Sequence, residues 1–327
     1  MMCLPRWRYL IGPALVAAAL AAGCQAPGAS GPSRASQHLD RAQRYVERDL
    51  LDSALVEFGM ALEQNPRLTE AHLGMGNIYR QRGDYELASG AYERAAAIEP
   101  NSFDAHYYLA LTKQLMGAVA DAITLYLRAL AIDPDNFHAN QNLASAYLQL
   151  NRPTEALPYA RRATRLQPNA QSAWANRAAV YSLLGEYERA VEAYREAVEL
   201  GDMPDQVLLG LADAHLKLGN YQRAINVLRA LIRQSSNSTT YERLGYAQFK
   251  LRQFDKALAS YRTALSLDDK DTAALNGVGV CLMTLYIQSG RALPRQKSEA
   301  LQCWRRSVQL RPDQLRIIDL IARYQKI

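Results

Sequence analysis

Residues 69–102 read TEAHLGMGNIYRQRGDYELASGAYERAAAIEPNS, and the punctuation inside this stretch decides the fold. Pro100 stops a helix, because its ring removes a backbone N–H and clashes with the preceding turn. Gly83 marks a left-handed residue that closes the helix before it. Between these marks lie two apolar-periodic segments, Glu70 to Gln81 and Tyr85 to Ile98, each of about 12 to 15 residues. The stretch predicts a helical hairpin.

The same punctuation recurs on both sides. Pro66, Pro100, Pro134 and Pro168 are each 34 residues apart; Gly83, Gly117, Gly185 and Gly219 keep that interval, with Asn151 in the vacant slot. A fixed period of this size means an array. With the proline numbered as position 32, eight repeats start at residues 35, 69, 103, 137, 171, 205, 238 and 272. Position 8 then holds Ala42, Gly76, Ala110, Ala144, Ala178, Ala212, Gly245 and Gly279. Position 20 holds Ala54, Ala88, Ala122, Ala156, Ala190, Ala224, Ala257 and Ala300. Facing small residues let two helix axes approach at the lower end of the roughly 8–10 Å packing range. Position 24 is aromatic in Phe58, Tyr92, Tyr126, Tyr194, Tyr261 and Trp304, which predicts a ring filling the space between hairpins.

With these slots filled, the chain resembles a tetratricopeptide repeat protein. The resemblance implies an all-α, right-handed α-solenoid of about eight hairpins over residues 35–312. Residues 313–327 read as a capping helix, with Leu315, Ile318, Ile321 and Tyr324 on its apolar face, as the end of a solenoid needs. Two repeats depart from the pattern. Repeat six is 33 residues long and carries Leu228 and Leu231 where an aromatic and a small residue are usual. Repeat eight carries about nine extra residues, placed near Gly290 to Lys297 between its helices. That insertion reads as a solvated loop; docking of an acidic partner or lipid headgroups through Arg291, Arg295 and Lys297 is the alternative.

In this family the first helix of each hairpin lines a concave groove. Carried over, the resemblance places Asn77, Tyr107, Tyr108, Gln141, Asn142, Asn176, Asp213, Arg243, Tyr246 and Asn276 on that surface. Asn can satisfy the N–H and C=O groups of an extended peptide, and Tyr gives contact area at low entropy cost. The Lys-rich pattern that clamps a C-terminal carboxylate in cochaperone members is not apparent.

The amino terminus adds a location. Residues 1–23 pass from Arg6 and Arg8 through the apolar run Tyr9 to Ala22, which is the plan of a secretory signal. The run is shorter than the roughly 20 residues a spanning helix needs. Leu20-Ala21-Ala22-Gly23-Cys24 resembles a bacterial lipoprotein lipobox, which implies a diacylglycerol on Cys24 and membrane anchoring through two or three acyl chains. Cleavage near Ala22 and ordinary secretion is the alternative. Gln25, in place of an Asp that signals inner-membrane retention, favours the outer membrane of the cell envelope. Gly, Pro, Ala and Ser dominate residues 25–36, so a flexible tether is expected from Cys24 to about residue 34–36.

The formal charge of +6, or +4 once Arg6 and Arg8 leave with the signal, is too mild and dispersed to predict a nucleic-acid partner. His38, His72 and His106 recur at position 4, but equivalent positions sit about 8–10 Å apart, too far to share a zinc bound at about 2.0 Å. They are expected to pack, and no metal or cofactor is expected. Cys281 and Cys303 both lie in repeat eight and are read as free thiols, a disulfide being the alternative. No nucleophile motif or phosphate-cradling glycine loop is present, so the chain is not expected to be an enzyme. The expected function is a noncatalytic, membrane-tethered scaffold binding a protein or extended peptide. A pilotin-type assembly factor and an accessory subunit of a glycan-processing enzyme are the alternatives. Oligomeric state is left open.

Overall fold

The structure is a computed structural model that describes residues 33–201 and 204–326. The signal segment, Cys24 and most of the tether lie outside the described residues. Seventeen α-helices follow one another among the described residues, and no strand occurs there. They are α1 (Arg34–Glu47), α2 (Leu51–Gln64), α3 (Thr69–Arg82), α4 (Tyr85–Ile98), α5 (Phe103–Leu115), α6 (Val119–Ile132), α7 (Phe137–Gln149), α8 (Pro153–Leu166) and α9 (Gln171–Leu183). Then come α10 (Tyr187–Glu199), α11 (Asp205–Lys217), α12 (Tyr221–Gln234), α13 (Ser238–Lys250), α14 (Phe254–Leu267), α15 (Thr272–Gln288), α16 (Pro294–Leu310) and α17 (Leu315–Gln325). The hairpins fall where the period places them.

The chain divides into two compact bodies, one ending at Pro66 and one running from Arg67. The first contains the hairpin of α1 and α2, closed by Ala42, Ala54 and Phe58, all buried. Its first helix begins earlier than the tether reading allowed. Ser33 Oγ accepts from the Ser36 amide at 3.1 Å and caps α1, so residues 34–36 are helical.

In the second body each hairpin packs on itself and its second helix packs on the first helix of the next hairpin. The first helices α3, α5, α7, α9, α11, α13 and α15 also touch in succession and form an inner row. All eight alanines at position 20 are fully buried, as are Ala110, Ala144, Ala178 and Ala212 at position 8. A side chain enlarged here has nowhere to go. Ala156→Leu is expected to cost about 1–3 kcal/mol by overpacking; an unchanged urea midpoint would contradict this close helix contact.

The ring at position 24 explains the glycines. A Cβ on Gly76 would lie 2.6 Å from Tyr92 Cε1, and one on Gly277, at position 6 of repeat eight, would collide with the Tyr261 ring of repeat seven. The Tyr92 and Tyr261 rings are therefore each pressed between their own hairpin and the next.

First helices end alike. Gly83, Gly117, Gly185 and Gly219 have φ near +80°, and Asn151 takes φ +53°. Asp49 and Arg252 occupy the same position with φ +58° and +59°, although neither is a glycine. The following amide bonds back across the turn, as from Asp84 N to Tyr79 O at 2.9 Å, which satisfies a carbonyl the helix end would otherwise leave open.

Position 4 has a role beyond packing. His106 Nε2 meets Pro100 O at 2.8 Å, Asn140 Nδ2 donates to Pro134 O at 3.0 Å, and Trp174 Nε1 donates to Pro168 O at 2.8 Å. Three different side chains thus clip one hairpin to the carbonyl that ends the last. In repeats five to seven position 32 is not proline, and position 4 of the repeat that follows each becomes Leu208, Tyr241 and Leu275. His38 pairs instead with Glu57 at 2.6 Å.

Repeat eight corrects two expectations. The extra residues do not make a long loop: α15 and α16 are each 17 residues, against 13 or 14 for the helices of other repeats, and only residues 289–293 connect them. Helix propagation costs less than a longer irregular connection, because each added residue gains a backbone bond. Arg295 and Lys297 consequently sit on α16, and only Arg291, at φ +70°, is in the turn. The capping helix α17 packs through Ile317, Leu320, Ile321 and Tyr324, while Leu315 is 75% exposed and Ile318 39%. The expected face was rotated, since a 3-residue stripe drifts around a 3.6-residue helix. Cys281 and Cys303 are free; Cys281 is fully buried and burial pushes its thiol up to about 12.

Candidate interaction site on the inner helices

All ten groove residues named from the sequence lie on first helices of the second body, and none is fully buried. The structure gathers them into separate groups.

The largest group spans α3 to α7. Tyr92 and Tyr108 stack at 5.8 Å between centroids, Tyr107 meets Tyr108 edge-on at 5.2 Å, and Tyr107 tilts against Tyr126 at 6.0 Å. The guanidinium of Arg80 lies 5.5 Å from the Tyr108 ring. Desolvation pushes the Tyr92 hydroxyl up to about 12, so it stays protonated and donates to Asn77 Oδ1 at 2.7 Å. That bond leaves the Asn77 NH2 as the group available to a ligand. Asn142 is held the other way: its Nδ2 donates to Tyr107 Oη at 3.1 Å, which leaves its Oδ1 as acceptor. One amide thus offers a donor and the other an acceptor.

Gln141 accepts from Ser172 Oγ at 2.9 Å. Asn176 borders a recess of about 280 Å³ with Tyr194 and Gln206. A charged group follows on α11 and α13, where Arg243 Nε donates to Asp213 Oδ1 at 2.7 Å and a second guanidinium nitrogen bonds Glu242. Burial holds the Glu242 carboxyl above its usual range despite the opposing pull of Arg243. Tyr246 stands open, with Lys250 Nζ 5.4 Å from its ring. Asn276 is drawn away from this surface, since its Nδ2 donates to Gln314 Oε1 at 2.6 Å beside the cap.

Glu242 and Arg80 were not picked out from the sequence. Glu242 sits at position 5, the groove slot that names Tyr107 and Gln141, so its position was legible. Arg80 sits at position 12, in the last turn of α3.

Profiles of the tetratricopeptide repeat match residues 76–117, 125–157, 142–202, 183–239 and 238–271. No curated protein matches the sequence. Among solved structures, a tetratricopeptide repeat protein from Parabacteroides merdae is 16% identical with a TM-score of 0.53, covering 76% of this chain and 99% of that one. Pseudomonas aeruginosa pilF is 20% identical with a TM-score of 0.53, covering 62% and 91%. The APC/C hetero-tetramer Cut9-Hcn1 gives 17% identity and a TM-score of 0.54, covering 88% and 55%. At such identities the likeness concerns the fold. The profile matches, the 34-residue hairpins and the small-residue contacts that close them agree: this chain is built of tetratricopeptide repeats.

Proposed function

We propose that the chain is a noncatalytic scaffold, tethered to a membrane of the bacterial cell envelope through a lipidated Cys24, that holds a protein or extended peptide along its inner helices. The tetratricopeptide repeat fold itself suggests a protein-binding scaffold. The observation that supports the peptide reading most is the opposed pair of amides, Asn77 with a free donor and Asn142 with a free acceptor, set among tyrosine rings. An extended chain rises about 3.3 Å per residue. Crossing helices spaced about 8–10 Å apart, it meets a new helix roughly every three residues. Backbone groups of a guest would then face the amides of α3, α7 and α9 in turn, while the rings cover its side chains. The outer membrane is the preferred site, from the residue after Cys24.

Joint replacement of Asn142 and Asn176 by Ala is expected to weaken partner capture about tenfold without unfolding, as for two central contacts of roughly 1 kcal/mol or less each. Crosslinking in cells with mass spectrometry reads the capture and circular dichroism reads the fold. Undiminished recovery of every crosslinked protein would place binding on another surface.

A further inference from the structure

Position 7 is an apolar slot in the second body; in the first body repeat one carries Arg41 there, paired with Glu57 at 3.1 Å. Met75, Leu109, Leu143, Leu211, Leu244 and Val278 occupy it in six repeats of the second body, and the last five are buried. Repeat five places Arg177 there. A guanidinium in such a slot is costly unless a counter-charge meets it. Local conflicts of this kind gather at functional sites.

Neutral groups are all that Arg177 meets. Its Nε and Nη2 donate to Tyr181 Oη at 3.4 and 3.3 Å, and its Nη1 donates to Thr164 Oγ1 at 3.2 Å. Arg161, reaching over from α8, donates to the same Tyr181 Oη at 3.3 Å. Among the described residues neither arginine makes an ion pair. Repeat three shows what is missing. There, position 11 and the preceding repeat's position 25 are Lys113 and Glu93, paired at 2.9 Å. In repeat five the corresponding residues are Tyr181 and Arg161, so the carboxylate is gone and a second guanidinium stands in its place.

A recess of about 260 Å³ opens at this point between α9 and α10, with Trp174, Arg177 and Tyr181 on one side and Arg189, Glu192 and Glu196 on the other. The Arg177 guanidinium lies 5.0 Å from the Trp174 ring, which holds it in place. Arg189 is already neutralised by Glu186 at 2.6 Å. Burial pushes the Tyr181 phenol up, but the bonds and charges of Arg161 and Arg177 outweigh it and hold the phenol below the usual tyrosine value. The oxygen therefore sits between two guanidinium groups that no carboxylate pairs directly.

The geometry points to a binding site for one compact phosphate dianion between Arg161, Arg177 and Tyr181, outside the inner row. Two uncompensated guanidinium groups match its two charges, and guanidinium forks suit phosphate oxygens. A carboxylate brings one charge and leaves one arginine unanswered. Glu192 and Glu196 on the far wall repel an extended polyanion, such as a nucleic-acid backbone or an anionic bilayer, and restrict the site to a single group.

Thermal melts of the full chain in rising sodium phosphate, at constant ionic strength and mildly alkaline pH, test this. The native protein is expected to gain stability saturably. Arg177→Leu restores the residue type of the sister repeats, so it should fold at least as well without phosphate and lose the saturable response. Arg161→Gln, a change at an exposed side chain, should weaken the apparent affinity at least tenfold. Acetate at matched ionic strength should give less than a tenth of the phosphate effect. Equal phosphate responses in the native chain and either variant, or equal responses to acetate and phosphate, would overturn the assignment.

Discussion

Trp304→Ala is expected to remove about 3–5 kcal/mol from the last hairpin, the usual cost of deleting a buried aromatic side chain. Trp304 is 1% exposed and fills the space above Gly279, where an added Cβ would collide with its indole. Its Nε1 donates to Asn276 O at 3.3 Å, and its ring lies 6.3 Å from Tyr324 of α17. The cap has no fully buried residue of its own, so it depends on this ring for much of its footing. Contacts in an array run only between neighbours, and damage stays local. Hydrogen exchange should show lost protection in α15 to α17 with α3 to α9 unchanged, alongside a lower urea midpoint. Trp304→Tyr, which installs the residue of four sister repeats, should recover most of the loss. A midpoint unmoved by Trp304→Ala would mean that the position-24 ring does not hold the hairpins together.

Cys24→Ser should move nearly all of the protein from the membrane fraction to the soluble one. Serine has no thiol to form the thioether, and no described helix is long and apolar enough to cross a bilayer. One acyl chain gives only marginal binding, whereas two or three hold stably, so on the proposed lipidation the change would remove the anchor in a single step. Fractionation of cells expressing either form reads the result. Unchanged membrane association would refute lipid anchoring at this residue and leave the inner-helix reading to stand by itself.

The hairpins were legible because their determinants are local and repeated. Proline, the left-handed glycines and the position-8 and position-20 alanines announce helix ends and contacts without tertiary information. The misreadings share a different cause. Residues 34–36 joined α1 because Ser33 caps it, and one serine among many in a polar segment carries no such mark. The extra length in repeat eight became helix because nothing in residues 284–298 forces a break except Gly290 and Pro294. The cap turned by about one residue because its apolar residues lie on more than one face, and only contact with the α15–α16 core selects among them. The inner surface was legible by position but not by partner: nothing at Asn276 foretells Gln314, 38 residues away. Arg177 was visible in its slot all along, yet its meaning depends on Arg161 arriving from the adjacent repeat.

The clips from His106, Asn140 and Trp174 span six residues each, and a bond of that reach measures the chain that it bridges. Adding or deleting one residue at such a joint would swing the donor off its carbonyl. Both length irregularities, the shortened repeat six and the lengthened repeat eight, fall after the last clip. The front of the array is therefore ruled to a fixed count, and its rear is the portion where the molecule tolerates gaining or losing residues.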